Sequence, residues 1–214
     1  MKFFVFIFLA LSFQWVNASE STVGGIKEAY VASLLHALEL QEAAIANAKK
    51  DPHGAPVYLY KLGLSQVLMA WEKSEGNPVK KVQIEEQGCS MIRRAAEEGL
   101  IVAGVAQLSL CYHSLEEDLT TEKRDAARER LFKSIKAGDK WQSYYPMTVH
   151  AFQIRCYVAD IDRRIATQTY EQILADAYEL AYQASANEDE SKMYFDKALE
   201  ANCKSIQQLV TKDN

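Results

Sequence analysis

The sequence predicts an all-α protein, a short solenoid of antiparallel helix pairs, behind a cleaved signal peptide. Three observations carry this reading. The prolines, Pro52, Pro56, Pro78 and Pro146, fall early or between segments, and residues that favour helix fill the rest. Apolar residues recur at steps of three and four, and no segment sustains the alternation of a strand. Two glycines, Gly99 and Gly138, lie 39 residues apart at the ends of successive helix pairs, within the range of helical solenoids.

The chain opens on Met1 to Ala18, which reads as a signal peptide. Lys2 gives a basic start, Phe3 to Phe13 an apolar run broken only by Ser12, and Val16-Asn17-Ala18 a cleavage site. The run is too short for a good transmembrane span, and no stable membrane anchor is expected. The mature chain is then Ser19 to Asn214, a single helical-repeat domain with room for a sizeable core. The full chain carries a net charge of −5, and loss of Lys2 makes the mature protein slightly more acidic. That balance argues against general nucleic-acid binding, which needs a basic face.

The elements follow in order. Ile26, Tyr30, Leu34, Leu38, Gln41 and Ile45 form a first stripe, ended near Lys49-Lys50 by Asp51-Pro52-His53-Gly54. Val57, Tyr60, Leu64, Val67, Leu68 and Trp71 form a second, closed by Gly76-Asn77-Pro78. Val82 to Glu98 is a third helix, stopped at Gly99, where a positive φ lets the chain reverse. Ile101 to Leu115 is a fourth, Glu116 to Thr121 a polar connection, and Glu122 to Ala137 a fifth, stopped at Gly138. Asp139 to Pro146 reads as irregular. Further helices are expected near Thr148 to Arg164, Gln168 to Ser185 and Ser191 to Lys212.

All the cysteines, Cys89, Cys111, Cys156 and Cys203, lie in the mature part. An even count behind a signal peptide favours disulfides in an oxidising compartment, periplasmic or extracellular. Free buried thiols are the main competing reading. A zinc site fits poorly, because no two cysteines are two to four residues apart. Cys89 and Cys111 flank the reversal at Gly99 to Val102, each roughly 14–15 Å from it along its helix, so antiparallel helices would bring them level. Cys156 with Cys203 follows by elimination.

Met91-Ile92-Arg93-Arg94-Ala95-Ala96-Glu97-Glu98-Gly99 resembles the end of a Sel-one-like repeat (SLR), a relative of the tetratricopeptide repeat. Ala103, Leu108 and Tyr112 resemble the next first helix, with Leu108 one residue late. Leu62-Gly63 resembles the Leu-Gly pair of the preceding repeat, and Ala127, Leu131 and Gly138 the following second helix. The sequence departs from the pattern at Ser109, where glycine is usual, at His113-Ser114-Leu115, which lacks one, and at Pro146. The resemblance covers about Ala55 to Gly138. It implies a concave face that binds proteins.

No catalytic residue, metal ligand or cofactor site is expected. His-Glu-x-x-His, Gly-x-Ser-x-Gly and phosphate-binding glycine loops are absent, and His36, His53, His113 and His150 are scattered. Glu116-Glu117-Asp118 reads as a solvated turn, and Asp160 and Asp162 beside Arg163-Arg164 as surface ion pairs. The leading expectation is an exported adaptor or scaffold whose partner is another protein, an envelope protein or an effector toxin. The resemblance also admits an immunity protein against a periplasmic toxin such as a type VI phospholipase effector. A helical hydrolase of unrecognised type and a carrier with an apolar cavity are readings from other classes. Tyr58, Lys61, Ser65 and Met69 are placed on the concave face, with Gln107 and Ser114 more exposed than Leu108 and Tyr112. Tyr144, Tyr145 and His150 approach that side if a third helix pair stacks in register, with the two tyrosines equally compatible with core. Oligomeric state is left open.

Overall fold

The computed structural model describes residues 32, 34–47, 50–111, 121–157 and 165–212. The leader, the connection at 112–120 and the segment 158–164 lie outside them. The calls on Met1 to Ala18, Ser114, His113, Asp160 and Asp162 therefore fall beyond the described residues.

The described chain is mostly helical. Helix α1 covers residues 34–47, α2 Ala55–Leu68, α3 Ala70–Lys73 and α4 Pro78–Glu97. Helix α5, Ile101–Ala106, continues as a π-helical turn over Gln107–Cys111. Then follow α6 Thr121–Ala137, β1 Met147–His150, β2 Ile165–Gln168, α7 Tyr170–Ala184, α8 Glu188–Glu200 and α9 Lys204–Lys212.

Helix starts are set by caps. Asn77 accepts the amides of Val79 and Lys80 with Pro78 in the first turn, so α4 begins four residues before the expected Val82. Thr169 and Gln172 form a capping box at α7, and Asn187 caps α8. Helix ends follow the expected glycines. Gly99 has φ 101° and Gly138 φ 76°. At Gly99 the amides of Gly99 and Leu100 return to the carbonyls of Ala96 and Ala95, which satisfies the free end of α4.

The most extensive helix contact is between α2 and α4. It is close because both helices carry a glycine at the crossing. A methyl group at Gly63 would sit 2.6 Å from the Gly88 carbonyl oxygen, and one at Gly88 would sit 2.7 Å from that of Gly63. The backbones are therefore in contact. Around this crossing one core joins Val57, Tyr60 and Leu64 of α2, Ile92 and Ala95 of α4, all of α5 except Gly104, Leu131 of α6 and Ile173 and Ala177 of α7. A smaller cluster, Cys156, Ala175, Ala198, Cys203 and Ile206, fixes α8 and α9.

Two expectations are corrected. The helix predicted near Thr148 to Arg164 is absent from the described part of that range. Its place is taken by β1 and a 3-10 turn at Ala151–Gln153, and β1 pairs antiparallel with β2, Met147 facing Gln168 and His150 facing Ile165. A third helix pair does not stack in register there. Trp71, counted in the core stripe, is 56% exposed. Helix α2 ends at Leu68, and α3 turns Trp71 outward.

Both cysteine pairings expected from the sequence are present at disulfide distance. The Cα atoms of Cys89 and Cys111 lie 5.6 Å apart and those of Cys156 and Cys203 4.4 Å apart. Among the described residues no helix is long and apolar enough to cross a membrane.

Candidate functional site

Several of the expected partner-facing residues converge, but on carboxylates rather than on open solvent. Asp51 caps the 3-10 turn Pro52–Gly54 that leads into α2. Its side chain accepts the hydroxyl hydrogens of Tyr58, at 3.0 Å, and of Tyr144, and the amide of Gly54. The Tyr144 hydrogen bond leads in holding the Asp51 carboxyl below its ordinary range. The same bond, with burial, pushes the Tyr144 hydroxyl up to about 12. His53 stands beside this pair, its ring 6.2 Å from Trp141 and 6.3 Å from Tyr144, and its carbonyl accepts the Trp141 indole at 2.8 Å.

A second carboxylate continues the seam. Asp139 follows the Gly138 stop and is buried. It accepts the amide of Ile101 at 3.2 Å, the amide of Trp141 at 2.7 Å and the Tyr145 hydroxyl at 2.8 Å. Asp139 thus ties the first turn of α5 to the loop after α6. Burial, and then the charge of Asp139, raise the Tyr145 hydroxyl far above its ordinary value. Tyr170 meets Tyr145 edge-on at 5.4 Å. Deeper in, the Tyr60 hydroxyl donates to the Thr148 carbonyl at 2.8 Å beside Gln153. These phenols stay protonated at neutral pH and act as hydrogen-bond donors, and an Asp51 held ionised is a weak base. The cluster is built to hold segments together and to present aromatic edges.

The expected concave face changes accordingly. Tyr58 is 7% exposed and Gln107 3%, and Ser65 and Met69 are also buried. Helix α2 is covered on this side because Gln41 of α1 accepts from Ser65 and Lys73, while the Asp51 loop covers Tyr58. Gln107 was expected to be more exposed than Leu108. The order is reversed: Gln107, at the start of the π turn, is buried and Leu108 is half-buried. Lys61, Tyr144, Tyr145 and His150 are half-buried, and burial lowers the Lys61 ammonium below its ordinary value. His150 does not join the tyrosines. Its ring lies 4.8 Å from Phe152 and accepts the Phe152 amide.

Sequence reasoning missed Asp51, Asp139 and Asp176. In the sequence Asp51 has the marks of a helix breaker, and its place directly before Pro52 is the only local signal. Asp176 lies on α7 and is 0% exposed. It accepts the amides of Arg155 and Cys156, at 2.9 and 2.7 Å, and the Gln168 side chain at 2.7 Å. Glu179, one turn on, pairs with the Arg155 guanidinium. Together they clamp the disulfide-bonded segment at Cys156 to α7 and β2.

Burial pushes the Asp176 carboxyl up from 3.8 to about 6. Between these values the folded protein holds a proton that the unfolded chain releases. The resulting stabilisation is fully present below about pH 4 and is lost as pH rises through about 6. Urea unfolding of the wild type and of Asp176→Asn should therefore show the wild type gaining about 2 kcal/mol on the variant between pH 7.5 and 4.5. A gap that does not change with pH contradicts this.

Among the described residues no group of three or more His, Cys, Asp or Glu is arranged to hold a metal ion. No protein-family model, no curated protein and no solved structure matches the chain.

Proposed function

We propose that the protein is exported, cleaved after Ala18, and binds another protein as an adaptor or scaffold. The observation that carries the binding reading is the exposed apolar end of the α2–α4 hairpin. Gly63 faces Gly88 across this antiparallel pair. Helix α3, which carries Trp71, packs against α4, on which Val79 lies one turn from Val82. Trp71 is 56% exposed, Val79 66% and Val82 39%. Exposed apolar clusters mark interaction sites, and tryptophan is a frequent energetic anchor in them. Export is supported by the two cysteine pairs at disulfide distance.

The repeat reading is supported by the left-handed glycines at Gly99 and Gly138. It is also supported by the π turn at Gln107–Cys111, which takes up one extra residue where Leu108 runs one late. The solenoid is then limited to the first helix pairs.

The immobilised mature protein should capture a partner from an extract of the exported compartment. The Trp71→Ala, Val79→Ser double variant should lose at least tenfold in capture with an unchanged circular-dichroism spectrum. Equal capture by the variant contradicts the assignment.

A further inference from the structure

A groove of about 680 Å³ runs between α6 and the start of α8, away from the hairpin end just described. Arg130, Lys133 and Lys136 line it at steps of three, so they form one stripe along α6. Glu129 and Glu190 also line it, over a floor that includes Phe132. Lys136 pairs with Glu190 at 3.1 Å. Arg130 and Lys133 have no acidic partner among the described residues.

One donor of the lining lacks an acceptor, and so does a buried phenol behind it. The Arg130 Nε atom is buried and makes no hydrogen bond. Tyr194, which packs on Phe132 and does not itself line the groove, is fully buried, and its hydroxyl also makes none. The Tyr194 ring packs 5.3 Å from Phe132, and its phenol lies within the fields of Lys136 and Glu190. Buried donors are normally satisfied, and leaving one unmet costs about 1–3 kcal/mol. Of the two, only Arg130 belongs to the lining.

We propose that this groove takes carboxylate side chains from an acidic segment of the partner protein. The proposal rests on the protein-binding reading above and names the chemistry of the partner. The lining carries one more cation than anion, which suits a singly charged carboxylate better than a doubly charged phosphate. The Phe132 floor suits the methylene groups of a glutamate. In a chain of net charge −5, the unpaired Arg130 and Lys133 give the groove a local excess of positive charge that would orient an acidic segment.

The test is a titration of the full mature chain with N-acetyl-tetraglutamate amide, followed in amide-proton and nitrogen spectra. Saturable shifts are expected at Glu129 to Ala137 and Glu190 to Lys197. Affinity should fall at least tenfold in Arg130→Gln, Lys133→Gln, and tetralysine should produce no such shifts. No saturable shift at these amides, or equal affinity in the double variant, would overturn the proposal. Citrate saturating the same amides as tightly as the peptide would overturn the assignment to a protein segment. A partner captured through Trp71 but held equally well by the groove variant would remove the groove and leave the binding reading intact.

Discussion

Gly88→Ala should destabilise the protein by about 2–3 kcal/mol, an unusually large effect for one methyl group. The new carbon would sit 2.7 Å from the Gly63 carbonyl oxygen and 2.9 Å from a Val67 methyl. A carbonyl in a helix cannot swing aside, so α2 and α4 must separate along their whole contact. The core around Ile92, Leu64 and Ala95 loosens with them. Gly104→Ala supplies the control. Its methyl would meet the Leu131 side chain at 3.1 Å, a group that can shift, and under about 1 kcal/mol is expected. Urea unfolding followed by circular dichroism reads both. Wild-type stability in Gly88→Ala would contradict the backbone contact.

Replacing Cys156 and Cys203 by alanine should cost about 4 kcal/mol, against about 3 kcal/mol for Cys89 and Cys111. The first bond closes a chain of 47 residues and the second one of 22, and the entropy removed from the unfolded chain grows slowly with that length. The cost should also be uneven across the molecule. Cys203 lies at the turn between α8 and α9, where the Lys204 amide donates to the Cys156 carbonyl at 2.9 Å. Its cluster holds Ala198 and Ile206 apart from the main core. Hydrogen exchange should therefore accelerate first in α9 in the Cys156, Cys203 variant, and near α4 and α5 in the other. Identical unfolding midpoints with and without reductant would contradict the role given to both bonds.

The helices were legible where one face is buried, as on α2, where Val57, Tyr60 and Leu64 recur at helical spacing and are all buried. The glycine stops were legible because a reversal needs a positive φ. The strands were not. Met147–His150 is only four residues long, and its partner begins at Ile165, beyond the reach of any local period. Val149, Phe152 and Cys156 happen to imitate a helical stripe. Gly63 and Gly88 fall inside helices rather than at their ends, which was the available sign of close packing.

The candidate site was half legible. The sequence places Tyr58 on the partner face and leaves Tyr144 and Tyr145 between that face and core; Tyr58 and Tyr144 do meet, but on Asp51, 93 residues from Tyr144. Only tertiary structure could show that the phenols are engaged with carboxylates. The exposure of Trp71 was not legible because a stripe cannot tell that α2 stops three residues before it.

The most direct test of the account is mass analysis of the protein recovered from the exported fraction, with peptides mapped without reduction. The account predicts a chain that starts at Ser19, with Cys89 joined to Cys111 and Cys156 joined to Cys203. A chain that keeps Met1, or carries free or crossed cysteines, would contradict it.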